Sequence, residues 1–153
     1  MNLNERSIPM AHDVIVVGID GSEASKAALR WAVEEARLRH ARLQAVHAWW
    51  IVPMLKPGGQ LAPAASDLGA EDATERVRTF VTETVGEQTE VEITPVAVQG
   101  EQASVALVDA AKDADLLVVG SRGAGGFSGL LLGSISQQCA HHAPCPIVIV
   151  REN

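Results

Sequence analysis

Leu116-Leu117-Val118-Val119-Gly120-Ser121-Arg122-Gly123, joined nine residues later by Gly133-Ser134, is the stretch on which the fold turns. Its apolar half reads as a buried strand, and the glycines at its carboxyl end leave backbone N–H groups open to close approach by an anion. Ser134 to His142 can then form a helix, whose amino end adds partial positive charge at the same place. Strand, glycine-rich turn and helix in this order make a phosphate cradle. The same glycines, with Gly125, Gly126 and Gly129, also suit a plain flexible turn, so residue types alone leave both readings open.

Two better-known phosphate loops fail on inspection. A Walker-type loop ends in Gly-Lys-Ser/Thr, whose ammonium reaches the terminal phosphates, but here Leu132 precedes Gly133-Ser134 and no Lys is near. A dinucleotide fingerprint starting at Gly123 and Gly125 requires glycine at position 128, which is Ser128.

Working outward, Val14-Ile15-Val16-Val17 is a continuous β-branched run, suited to a strand covered on both faces of a parallel sheet. It stops at Gly18-Ile19-Asp20-Gly21-Ser22. Ser22 is a good helix cap, and Ser25, Leu29, Ala32, Val33 and Ala36 then recur on one face. Arg42 to Trp50 reads as a second strand, followed by a long Pro- and Gly-rich loop over 51–66 that can fold across whatever the sheet binds. A helix over Asp67 to Val85 presents Ala73, Val77, Phe80, Val81 and Thr84. Val91 to Val98 is the third strand, and Pro95 within it lacks a ladder donor, which assigns it to a sheet edge. A helix from Gln102 to Lys112 takes Val105, Leu107, Val108 and Ala111 as its apolar side. Asp115 to Gly120 and Pro146 to Val150 complete five strands.

Strands alternating with four helices predict an α/β, Rossmann-like, doubly wound parallel sheet in a single domain. Ligands of such sheets lie beyond the carboxyl ends of the strands, where strand order reverses. A switch point between the first and fourth strands would set Asp20 beside the glycine cradle.

The 153 residues and 47% apolar content suit one substantial core. A net charge of -7 and the scarcity of aromatic residues oppose nucleic acid as a partner, because polyanion binding draws on clustered Lys and Arg. No run approaches the ~20 apolar residues of a membrane span. Residues 1–12 have no apolar core of a signal peptide and are expected to be flexible, and Cys139 and Cys145 fit reduced thiols; a cytoplasmic location is expected. His141, His142 and Cys145 lack the paired spacing of a zinc site, and the histidines suit the last turn of a helix.

Val17 to Ser22, Val118 to Gly123, Gly133-Ser134 and His142-Ala143-Pro144-Cys145-Pro146 together resemble the universal stress protein family, of the ATP-binding type, over nearly the whole chain. The family pattern of Gly, two residues, Gly, nine residues, Gly, Ser/Thr is met by Gly120, Gly123, Gly133 and Ser134. The resemblance implies strand order 3-2-1-4-5 and a homodimer formed through strand five, whose exposed edge would otherwise invite unwanted pairing. It implies that Asp20 accepts hydrogen bonds from ribose hydroxyls, although Asp20 equally suits the Asp-Gly-Ser turn. Backbone groups near Val46 and His47 would meet the adenine edge, with nothing required of the His47 side chain. Gly120, Gly123, Gly133 and Ser134 would hold phosphates, with Ser136 a weaker candidate, and Ile19 and Ile135 complete the implied contacts. Arg122 suits a phosphate through its forked guanidinium and equally suits solvent. The triphosphate itself would bring a divalent ion, Mg²⁺, with no dedicated metal cage in the chain.

Hydrolysis needs a positioned water and charge neutralisation at the transferred phosphoryl group. With Asp20 given to ribose and no Lys in the cradle, little or no ATP hydrolysis is expected. The chain is accordingly read as an ATP-binding, nucleotide-responsive regulatory module of the stress response, the alternatives being a cyclic AMP binder, a slow ATPase, or a member kept for protein association alone.

Overall fold

The computed structural model describes residues 13–50, 53–55, 57–63, 69–123 and 132–152. The tail 1–12 and the glycines at positions 125, 126 and 129 lie outside the described residues. In chain order the elements are β1 (Val14–Gly18), α1 (Glu23–Arg39), β2 (Arg42–Trp49), β3 (Pro53–Leu55), β4 (Leu61–Pro63), α2 (Ala70–Val85), β5 (Ile93–Gln99), α3 (Ala103–Ala110), β6 (Leu116–Gly120), α4 (Ser134–His142) and β7 (Ile147–Val150). A single 3-10 turn, Ala111–Asp113, extends α3. Among the described residues no helix is long and apolar enough to cross a membrane.

The main sheet is five-stranded, wholly parallel and ordered β5-β2-β1-β6-β7. This is the 3-2-1-4-5 order implied by the resemblance. Pro95 pairs with Ala45 on edge strand β5, whose only strand neighbour among the described residues is β2, so its missing donor breaks no ladder.

Alternation along the strands splits the core into two layers. Ile15, Val17, Leu43 and Ala45 pack with Ala28, Leu29 and Ala32 of α1 and with Val77 and Val81 of α2. Val16, Val46, Leu117 and Val119 face the other way, onto Leu107 of α3 and Cys139 of α4. Both faces of the sheet are thus covered, which is why its central strands are uniformly apolar.

Two expectations need correction. The stretch 51–66, read as a loop, contains the antiparallel hairpin β3–β4, registered Pro53↔Pro63, Met54↔Ala62 and Leu55↔Leu61. Its turn uses Gly58 (φ 105) and Gly59 (φ 78), a backbone that glycine adopts without strain. Strands of three residues bounded by prolines are too short to leave a periodic signal. Positions 51, 52, 56 and 64–66 of that stretch lie outside the described residues. Val105, assigned to the apolar side of α3, is instead 52% exposed. The inward stripe is Ser104, Leu107, Val108 and Ala111, at helical spacing, and Ser104 can occupy it because its hydroxyl donates to Gln138 Oε1 on α4.

Helix α1 starts where the turn chemistry dictates. Ser22 Oγ accepts from Ser25 N at 3.1 Å, and Glu23 complements the helix amino end. Its first turn lies hard against β6, where a Cβ on Gly120 would stand 2.8 Å from the backbone carbon of Ala24 and 2.9 Å from its oxygen. Gly120→Ala should therefore lower stability by about 1–3 kcal/mol through overpacking. A urea titration checks this, with Gly100→Ala as the comparison, because nothing lies within 4 Å of a Cβ there and the midpoint should stay near that of the unaltered chain.

Candidate functional site

The switch point falls between β1 and β6, paired Ile15↔Leu116 to Val17↔Val118, with β2 beyond β1 and β7 beyond β6. Two turns leave the sheet there, and each is tied down by its own hydrogen bonds.

The first turn follows β1. Ile19 N donates to Val46 O at 2.8 Å, and His47 Nδ1 donates to Ile19 O at 2.8 Å. Asp20 Oδ1 accepts from Ser22 N at 2.9 Å and from Ser22 Oγ. Gly21 between them has φ 84, a left-handed conformation that favours glycine. One oxygen of Asp20 therefore shapes the turn that holds it.

The second turn follows β6. Ser121 is buried; its N donates to Val150 O at 2.8 Å, and its O accepts from Gly133 N at 2.7 Å. The single O–H of Ser136 is shared between Gly120 O at 2.9 Å and Ser121 O at 3.2 Å. A Cβ on Gly133 would come within 3.3 Å of Gly123 N, so a side chain there would press on the strand of the loop opposite it. Gly133 is also the N-cap of α4, and having no side chain it gives the first turn of the helix no cap of its own.

The two turns meet. Asp20 Oδ2 lies 3.3 Å from the point that a Cβ on Gly123 would occupy. Asp20, Gly123, Gly133 and the amino end of α4 thus share one corner at the carboxyl edge of the sheet. Arg122 and Ser134 are exposed at its rim, while Ser136, 2% exposed, holds the cradle together from beneath through the two carbonyls it bridges. Ile135 packs its side chain into the α3–α4 layer, and Val46 is buried with its carbonyl already accepting from Ile19. Gly120 is bare for the sake of Ala24, and its presence in the motif has a packing cause. The His47 side chain, from which nothing was required, is part of the architecture; its one signal in the sequence is a polar residue inside the apolar run Ala45-Val46-His47-Ala48.

Residues 12–151 match the profile of the universal stress protein family. The chain belongs to that family. A universal stress protein of Mycolicibacterium smegmatis is 38% identical over 146 residues, covering 92% of this chain and 47% of that protein. One from Mycobacterium tuberculosis is 36% identical over 139 residues, covering 91% of this chain and 45% of that protein. The chain therefore spans about half the length of the curated relatives it matches. Among solved structures, a universal stress protein in complex with cAMP superposes with a TM-score of 0.64 at 25% identity, covering 93% of this chain and 98% of that one.

Cys139 sits on α4 directly behind the cradle helix surface, fully buried, and burial pushes its thiol up to about 11. Burial, and secondarily the charge of Asp115, also raises Cys145. Because an unperturbed thiol ionises near 9.0, the unfolded chain gives up the Cys139 proton first; stability holds below 9.0 and falls as pH rises toward 11. Urea midpoints measured across that interval should decline, and Cys139 should stay unlabelled by a thiol reagent at about pH 8 until the chain unfolds.

Proposed function

We propose that this universal stress protein domain binds ATP at the corner between β1 and β6 and acts as a nucleotide-responsive regulatory module rather than as an efficient hydrolase. The observation that carries the proposal is the meeting of Asp20 with Gly123: a carboxylate suited to ribose hydroxyls stands beside a bare, glycine-lined turn that opens onto the amino end of α4, where the N-cap Gly133 has no side chain. Gly123, Gly133, Ser134 and Ile135 would receive the phosphates through backbone groups and the Ser134 hydroxyl, with Arg122 reaching in from the rim. Adenine would lie toward the ends of Val46 and His47.

Family membership and the cAMP complex of a structural relative favour an adenine nucleotide. That same complex keeps cyclic AMP as the second reading. The full Gly/Ser pattern favours the longer phosphate chain, because a cyclic monophosphate needs fewer contacts. Mg²⁺ would arrive on the triphosphate and take most of its oxygens from it; among the described residues no three His, Cys, Asp or Glu side chains form a cation cage. Slow hydrolysis has Arg122 as its one cationic side chain in the cradle, which is short of what phosphoryl transfer asks.

Occupancy of the site would be read out through the segment that follows β2, including the β3–β4 hairpin, and through a homodimer joined at edge strand β7, whose four residues are all half-buried in the single chain. A cytoplasmic location goes with this reading.

The test is direct. Protein purified from cells, then denatured, should release ATP identifiable by mass, and calorimetric titration with ATP and cyclic AMP side by side should rank ATP first. Gly123→Val places atoms where the phosphates pass and presses on Asp20 Oδ2, and should weaken ATP by at least about ten-fold in a folded variant. Asp20→Asn keeps an oxygen for the Ser22 turn and loses the carboxylate, with a loss of similar size. Undiminished ATP affinity in both variants would sink the site, and phosphate release unchanged by Gly123→Val would mark a contaminating enzyme.

A further inference from the structure

We infer that the His47 side chain is the positioning residue of this site: its Nδ1–H, donated to the Ile19 carbonyl, fixes the direction in which the chain leaves β1 and thereby sets Asp20 against the glycine cradle. The inference rests on the nucleotide-binding reading above and adds to it a side chain from which the sequence required nothing.

The geometry is that of a strand ladder continued by other means. Through Gly18↔Val46, β1 and β2 pair by regular backbone bonds. One residue on, Ile19 N still finds Val46 O at 2.8 Å. Its carbonyl is met instead by a side chain, His47 Nδ1, at 2.8 Å. Both polar groups of Ile19 are thus held by consecutive residues of β2, and the Ile19–Asp20 peptide plane cannot swing. Ile19 is only 6% exposed, so without the imidazole its carbonyl would lack a partner among the described residues in a place water reaches poorly. The next residue is Asp20, whose Oδ1 takes Ser22 N and Ser22 Oγ and whose Oδ2 lies beside Gly123. A rotation of that one peptide would carry the carboxylate away from the cradle.

A carbonyl only accepts, so the bond requires the proton on Nδ1, leaving Nε2 as the acceptor nitrogen of the neutral ring. That tautomer is the less common one for free histidine, and it is visible without any ligand. The affinity consequence follows from population: if loss of the clamp leaves about one-tenth of molecules with Asp20 in place, the apparent affinity falls about ten-fold.

Three variants separate positioning from mere packing. Asparagine carries an N–H at the same distance from Cβ as Nδ1, glutamine carries it one bond further out, and alanine carries none. In the full chain, a long-range proton–nitrogen spectrum should show the His47 ring protonated at Nδ1. His47→Ala and His47→Gln should bind ATP about ten-fold more weakly and speed exchange of the Ser22 amide, which reports on Asp20. His47→Asn should recover both. Asparagine faring no better than alanine, or His47→Ala retaining full ATP affinity and a protected Ser22 amide, would overturn the inference. If the unaltered chain binds neither ATP nor cyclic AMP, the nucleotide reading falls, while the Ser22 exchange series still decides for or against the clamp.

Discussion

Helix α1 can rest its first turn on the end of β6 because Gly120 has no side chain: a Cβ there would meet the Ala24 backbone at 2.8 Å. This contact sets the rest of the corner. It lets the helix that follows β1 start close to the neighbouring strand, so the Asp20-Gly21-Ser22 turn is drawn over β6 rather than away from it. It also means that the glycine whose place in the motif most suggests a phosphate contact has a prior duty in packing. The three glycines of the pattern divide the work. Gly120 admits a helix, Gly133 lets the returning chain close on Gly123, and Gly123 faces the carboxylate.

The same economy applies to the polar side chains. Asp20 uses one oxygen to build its own turn, Ser22 both receives that turn and caps α1, and Ser136 bridges two carbonyls of the opposing loop. In each case a polar side chain, half-buried at Asp20 and Ser22 and buried at Ser136, finds its partner within the site's framework, as burial demands. What is left facing outward is mostly backbone and small residues. Among the described residues such a surface suits an anion, and this is the physical ground on which the corner is proposed as a holding site.

Much of this was legible in the chain alone. β-branched runs marked the buried parallel strands, Pro95 marked the edge, and the Asp-Gly-Ser and Gly-x-x-Gly turns marked the two loops at the switch point. The hairpin β3–β4 was not legible, since three-residue strands carry no period, and Val105 was misplaced because an apolar residue was preferred to Ser104 for an inward position. Ser104 takes that position only because Gln138, more than thirty residues later, supplies an acceptor. No local pattern contains that information.

The sequence by itself determined the order of the five strands of the main sheet and its four helices, most of their apolar faces and the family resemblance, because these depend on periodicity and on turn residues that act over a few positions. The tertiary structure alone decided that Gly120 is bare for packing while Gly123 stands beside Asp20, and that a histidine from β2 holds the carbonyl ahead of Asp20. Those assignments depend on distances between residues far apart in the chain, such as Ala24 and Gly120 or Ile19 and His47. Only the closed sheet, with its helices docked on both faces, brings such pairs within reach.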